Sequence, residues 1–365
     1  MPFYQTLHPE RDQTDKRIVE NLIRLRGALR RSDIPGRSLN DTLLVATWNL
    51  RDFDKPSFGF RSKEAFYYIA EIIARFDLVA IQEVYKDLTA LNEVMRILGS
   101  DWDYIFTDAT EGTQGNGECI AFVFDKRKVV FGGLAGELVI PSEDNRPIPQ
   151  FWRTPLICGF RAGWAKFMIC SVHILWGKAQ GSKPPPERIE EITRLAQFLK
   201  KRTEDKTAWA RKLILLGDFN IGKHGDATYK PLEDAGFIVP EHLKEVYTNV
   251  TRDKQYDQIL FRQLEDSLEF ITGGTFDYFE HVFREEDEPI YAAEIAAYRS
   301  KKNKPDLSTP NEDPEPTEED DKRRLVYYKK WRTYQMSDHL PLWTAFRIDF
   351  SDEYLEGKLK PQTPA

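Results

Sequence analysis

Lys212-Leu-Ile-Leu-Leu-Gly-Asp-Phe-Asn220 is the stretch that decides the fold of this chain. The apolar run from Leu213 to Leu216 is too short for a helix and reads as a buried strand, with Gly217 ending it. Side chains on extended backbone alternate in direction, so Asp218 and Asn220 leave the strand pointing the same way. A carboxylate and an amide side by side can hold a divalent cation, or hydrogen-bond a phosphate oxygen or a water. A strand that ends in Gly-Asp is also simply a turn, so the functional meaning depends on what the rest of the chain adds.

Working outward, residues 42–49 and 78–83 are β-rich apolar runs that finish in polar residues, with an apolar helical stripe at Ala65, Ile69, Ile72 and Ile73 between them. Strand, helix, strand at this spacing predicts an α/β layer. Another helix is expected from Asp87 as N-cap, through Leu88, Leu91, Met95 and Leu98, to Gly99. Residues 102–106, 119–124, 155–160 and 165–173 read as antiparallel strands separated by turns such as the glycine-rich segment 111–117. Pro184-Pro-Pro-Glu187 opens a further helix that leads into the 213–217 strand, and residues 256–261 and 342–348 are strand-like again.

Composition bounds the function. The 365 residues are 41% hydrophobic, enough for one large core or two modest ones. Acidic residues outnumber basic ones 59 to 52, so any site for a polyanion must be local. Cys119, Cys158 and Cys170 form no Cys-x-x-Cys pair, which argues against a disulfide scaffold or structural zinc and for a reducing compartment. With no long apolar run, a cytoplasmic protein without a membrane segment is expected. Residues 13–31 form an amphipathic helix with a basic face, which suits a surface for nucleic acid or an acidic partner but is read first as packed on the domain with its arginines in solvent. Residues 305–321 carry eight acidic residues and four prolines, and read as a surface insertion. Residues 322–332 then interleave six basic residues with three aromatics, suiting either phosphate contacts with base stacking or a charged helix or strand face.

The polar residues cluster where the apolar strands end: Asn49, Gln82, Glu83, Glu118, His173, Asp218, Asn220 and the Ser337-Asp338-His339 segment. Catalytic groups gather on one edge of a rigid sheet, so convergence there is the economical account. Trp48-Asn49, Ile81-Gln82-Glu83, Ser171-Val172-His173, Gly217-Asp218-Phe219-Asn220, Tyr256-Asp257-Gln258-Ile259 and Ser337-Asp338-His339 resemble, in order, the motif set of the endonuclease/exonuclease/phosphatase superfamily. The local texture is most similar to the deoxyribonuclease I-like branch, over about residues 42–348.

The resemblance implies a four-layer α/β sandwich, with two packed mixed β-sheets flanked by helices and the site at one edge. It divides the chain into an N-terminal helical extension at 1–40, the catalytic domain at 41–350 with a charged insertion at about 284–330, and a tail at 351–365. It implies a nuclease that uses Mg²⁺ or Mn²⁺, with Glu83 as principal metal ligand supported by Asn49 and Asp338. Asp218 and Asn220 would hold the attacking water and the scissile phosphate, or a second metal. His339 paired with Asp257, and His173 paired with Glu118, would flank that phosphate. Arg153 would touch the phosphate or the carboxylates, and Arg51 would face the substrate backbone. Tyr85 departs from the pattern, standing where deoxyribonuclease I relatives carry a basic residue. The expected partner is nucleic acid, DNA before RNA. The alternatives are a phosphoinositide or phospholipid phosphohydrolase of the same fold, and a non-catalytic member that binds nucleic acid.

Overall fold

Runs of consecutive apolar residues need cover on both faces, and the computed structural model supplies it by stacking two sheets between helical layers. The structure describes residues 2–55, 61–109, 117–141, 149–177, 184–264, 267–301 and 318–359. Among them, eleven strands form two sheets.

In chain order, the first half comprises α1 (Gln13–Arg31), β1 (Thr42–Phe53), α2 (Lys63–Ile73), β2 (Leu78–Tyr85), α3 (Thr89–Leu98), β3 (Trp102–Phe106), β4 (Glu118–Asp125), β5 (Val130–Glu137), β6 (Leu156–Ala162) and β7 (Ala165–His173). Then come α4 (Pro186–Glu204), β8 (Leu213–Asp218), α5 (Lys230–Asp234), β9 (Asp257–Arg262), β10 (Glu269–Thr275), α6 (Ala292–Lys301), α7 (Glu318–Gln335), β11 (Leu342–Arg347) and α8 (Ser351–Leu359). One sheet has the order β10-β11-β1-β2-β4-β3 and the other β5-β6-β7-β8-β9. Both are mixed: β1 runs parallel to β2 and β7 parallel to β8, while the other pairs are antiparallel.

Alternation along each strand sorts the core into layers. Leu43 and Val45 of β1 face Ile214 and Leu216 of β8 across the middle of the sandwich. Their neighbours Leu44 and Ala46 turn outward to α1 and α2, where Ile18, Leu22 and Leu25 are buried. On the opposite outer face Leu213 and Leu215 pack against Ile192, Leu195 and Leu199 of α4.

Several expectations need correction. Gly217 lies inside β8 rather than ending it, because the ladder continues to Asp218 opposite His173 and Asp257. Its φ is +133°, and a Cβ there would run into the backbone of Val172, so only glycine lets β8 come this close to β7. The edge strands β5 and β10 were not expected. The α3 helix begins at Thr89, with Asp87 accepting from the Thr89 N–H at 3.0 Å. Not all of the arginines of α1 are in solvent: Arg17 meets Glu64 and Arg26 meets Glu71, each at 2.8 Å, while Arg30 and Arg31 are exposed. In α7, Tyr328 and Trp331 are buried against Tyr291 and Phe283, so the 322–332 run is a charged helix with a packed aromatic face. The 111–116 turn, most of the acidic 305–321 stretch and the tail beyond 359 lie outside the described residues.

Candidate active site

The parallel pairs carry their ends to one edge of the sandwich, where the expected polar residues meet. In the ladders Asn49 is the partner of Gln82, and Asp218 is the partner of both His173 and Asp257. Asn49 spans the two sheets: its amide nitrogen donates to Glu83 Oε1 at 2.8 Å and to Asp218 Oδ2 at 3.0 Å. Two imidazoles close on the same carboxylate oxygen. His173 Nε2 is 3.7 Å and His339 Nε2 3.8 Å from Asp218 Oδ2, and His173 Nε2 is also 3.8 Å from Glu83 Oε1.

Each histidine has a carboxylate behind it. His339 Nδ1 is 2.7 Å from Asp257 Oδ2, in a buried pair. Burial opposes the charged form of His339, but Asp257 and Asp218 outweigh it and hold its pKa well above the ordinary 6.5. His173 Nδ1 lies 3.3 Å from Glu118 Oε2, close enough for an ion pair but off the line of a hydrogen bond. Glu118 also accepts from Arg153 Nε at 2.7 Å, so Arg153 meets an active-site carboxylate.

Backbone geometry reflects the same convergence. Arg51, Asp52, Asp54, Glu83 and Asn220 all have positive φ although none is glycine, a cost the surrounding contacts must offset. Asn220 is held by its own N–H on Asp218 Oδ1 at 2.8 Å and by its amide nitrogen on the Ile174 carbonyl at 2.7 Å. Ser337 Oγ donates to the Asn49 carbonyl at 2.6 Å and accepts from His339 N at 3.0 Å. Beneath the site Gln82 bonds Thr47 of its own sheet and Ser171 of the other, at 3.0 and 2.9 Å.

Some supporting residues carry no local sequence signal, because their partners are backbone carbonyls and amides far along the chain. Arg61 is buried and donates to the carbonyls of Leu50, Arg51 and Gln335, at 2.6, 2.9 and 3.1 Å, tying the end of β1 to the end of α7. On α4, Arg188 donates to the carbonyls of Leu175, Trp176 and Asn220. One turn away, buried Glu191 accepts from Trp152 N and Leu175 N, both at 3.0 Å. One helix thus fastens the loops that carry Arg153 and follow His173.

For a metal, the donor set is hard and acidic. Burial and then the neighbouring Glu83 raise the Asp52 pKa to about 6 against the pull of Lys55. Glu83 and Asp218 fit a divalent cation such as Mg²⁺, hard carboxylate oxygen being preferred over sulfur, and Asn49 could join them only by turning its amide oxygen inward. Among the described residues no three His, Cys, Asp or Glu side chains form a ready cage. Water and substrate phosphate would complete the shell, as is usual for Mg²⁺. The structure turns the Asn49 oxygen to Arg51 N, at 2.9 Å, and its nitrogen to the carboxylates. Asp338, the third expected ligand, faces Arg51 at 3.4 Å instead. Arg51 also lies 3.9 Å from the Tyr334 ring centre, held by the end of α7.

No protein-family profile matches the chain. A deoxyribonuclease of Thioalkalivibrio sp. (strain K90mix) is 29% identical over 228 residues, which cover 61% of this chain and 57% of that protein. The chain therefore spans little more than half the length of this relative. The human nocturnin catalytic domain with bound sulfate superposes with a TM-score of 0.51, at 14% identity over 84% of this chain and 95% of that one. An endonuclease/exonuclease/phosphatase family protein from Bacteroides thetaiotaomicron gives 0.51, at 16% identity over 85% and 99%. The chain has the fold of these endonuclease/exonuclease/phosphatase proteins, its two mixed sheets and covering helices making the deoxyribonuclease I-like α/β sandwich.

Proposed function

We propose that this chain is a divalent-metal-dependent phosphodiester hydrolase, a nuclease that takes DNA before RNA. The observation that carries the proposal is the pair of carboxylate-backed histidines whose Nε2 atoms lie 3.7 and 3.8 Å from one oxygen of Asp218, beside Glu83. A phosphodiester is an anion attacked by oxygen, so its site must gather positive charge and aim a water in line. His339, kept charged by Asp257, presents an Nε2 proton to a phosphate oxygen or leaving oxygen. Asp218, fixed by Asn220 and Asn49, accepts from the attacking water. His173 bonds a second phosphate oxygen, and Arg51 meets the substrate backbone. Glu83, with Asn49 turning its amide oxygen inward, would hold a Mg²⁺ or Mn²⁺, whose chemistry there would be charge neutralisation. The deoxyribonuclease relative supports DNA as substrate.

Plasmid, single-stranded DNA and RNA incubated with Mg²⁺, Mn²⁺ or chelator test the proposal. Cleavage is expected with metal, absent with chelator, and reduced by about 10²- to 10⁴-fold in His339→Ala. Failure to cleave any of these with either metal overturns it.

A further inference from the structure

The site has one wall that the hydrolytic machinery does not use. Tyr256, immediately before Asp257, stands 5.7 Å from the His339 ring, centre to centre. Trp176, just after the His173 strand, meets Tyr256 edge-to-face at 5.3 Å. The indole is 55% exposed, the most open of the exposed tryptophans Trp152, Trp164 and Trp176. Trp164, by comparison, rests on Tyr354 of α8 and has a packing partner on the surface. Trp176 also has neighbours, Tyr256 and Arg188, yet more than half of its ring stays in water one aromatic away from His339.

Trp176 is also braced. Buried Arg188 donates to its carbonyl and to that of Leu175 and lies 5.4 Å from its ring centre. Glu191 takes the Leu175 N–H. Fixing an exposed aromatic in this way removes the entropy it would lose on stacking against a ligand.

We infer that Trp176, with Tyr256 standing edge-on as its wall toward the site, forms a stacking platform for an unpaired nucleobase next to the scissile phosphate, which makes single-stranded nucleic acid the preferred substrate class. The inference rests on the nuclease proposal. A base inside a duplex has both faces covered by its neighbours, whereas a single strand offers a free face at every nucleotide. The ring chain Trp176–Tyr256–His339 runs directly from the platform to the reacting group, so a base seated there brings its own phosphate to the histidine.

The test compares a short single-stranded oligonucleotide with one carrying abasic residues on both sides of a single phosphodiester, for wild type, Trp176→Ala and Trp176→Phe. Wild type is expected to favour the base-bearing strand in kcat/KM by about five- to hundredfold, the range of one base–aromatic stack. Trp176→Ala should erase the preference and Trp176→Phe retain most of it. No preference in wild type, or an undiminished one in Trp176→Ala, overturns the inference. Quenching of tryptophan fluorescence by the base-bearing strand in chelator separates the two claims. Quenching lost in Trp176→Ala, without cleavage in wild type, would sink the nuclease proposal and keep the platform. Cleavage without quenching would sink the platform alone.

Discussion

Gly217→Ala puts the strand geometry and the chemistry to one test. The added Cβ would meet the Val172 carbonyl oxygen first, with Val172 N at 2.8 Å and Val172 C at 3.0 Å. These are backbone atoms of a central strand, so β7 and β8 must part by about 1 Å to reach ordinary contact. Alanine must also take φ of +133°, at roughly 1–3 kcal/mol. Overpacking adds roughly 1–3 kcal/mol more, for about 2–6 kcal/mol in all. With an unfolding entropy near 2.1 cal/mol/K per residue, that lowers Tm by about 3–8 °C for a chain of 365 residues. The residues following this contact are His173 and Asp218, which are ladder partners. A displacement of about 1 Å between such groups costs roughly 10²-fold in rate. Calorimetry and metal-dependent cleavage on the same folded preparation measure both. Activity within about threefold of wild type, with Tm unmoved, would refute the close-approach account.

Two further outcomes follow from the geometry. Glu83→Gln should raise the Mn²⁺ concentration needed for half-maximal binding, read by Mn²⁺ electron paramagnetic resonance, by at least about tenfold, since a hard anionic donor is exchanged for a neutral one; unchanged Mn²⁺ binding would remove Glu83 from the ligand set. Burial alone would raise Asp125, but hydrogen bonds from Arg127 and Arg37 hold its pKa well below the usual carboxylate range. A depressed native pKa contributes stability that is present above the unfolded pKa and lost as pH falls toward the native one. Asp125→Asn should therefore lower the urea midpoint near pH 7, with a gap to wild type that narrows below about pH 4; a constant gap across that range would show that the charge is not responsible.

The parts of this molecule that are legible in its sequence are those whose environment is uniform. Leu213–Leu216, Leu78–Ile81 and Leu43–Ala46 are apolar on both faces because both faces are covered, and the polar residues that follow them are distinctive at once. The edge strands β5 and β10 carry no such mark: Gly132, Gly133 and Gly136 in β5, and Gly273 and Gly274 in β10, cut their β-forming runs to about three residues. Asp257 and His339 were legible as a pair only through the ordered motif set, since 81 residues lie between them in the chain. Arg61, Arg188 and Glu191 were not legible at all, because side chains that bind backbone groups leave no complementary residue type to find. The 322–332 segment shows the limit of composition. Its basic and aromatic residues suit a nucleic-acid surface equally well until Tyr291 and Phe283 are seen to bury Tyr328 and Trp331.

The Asn49 bridge joins groups from opposite sheets: Glu83 stands on β2, while Asp218 stands on β8. The width of the catalytic gap is therefore also the thickness of the sandwich, set by side chains such as Val45, Phe122, Phe160 and Leu216 in the layer between the sheets. Substitutions that swell or shrink that layer would retune the reaction from within, altering turnover without touching a single polar group, and variation in catalytic rate among chains of this architecture would be written as much in their interior volumes as in their active-site residues.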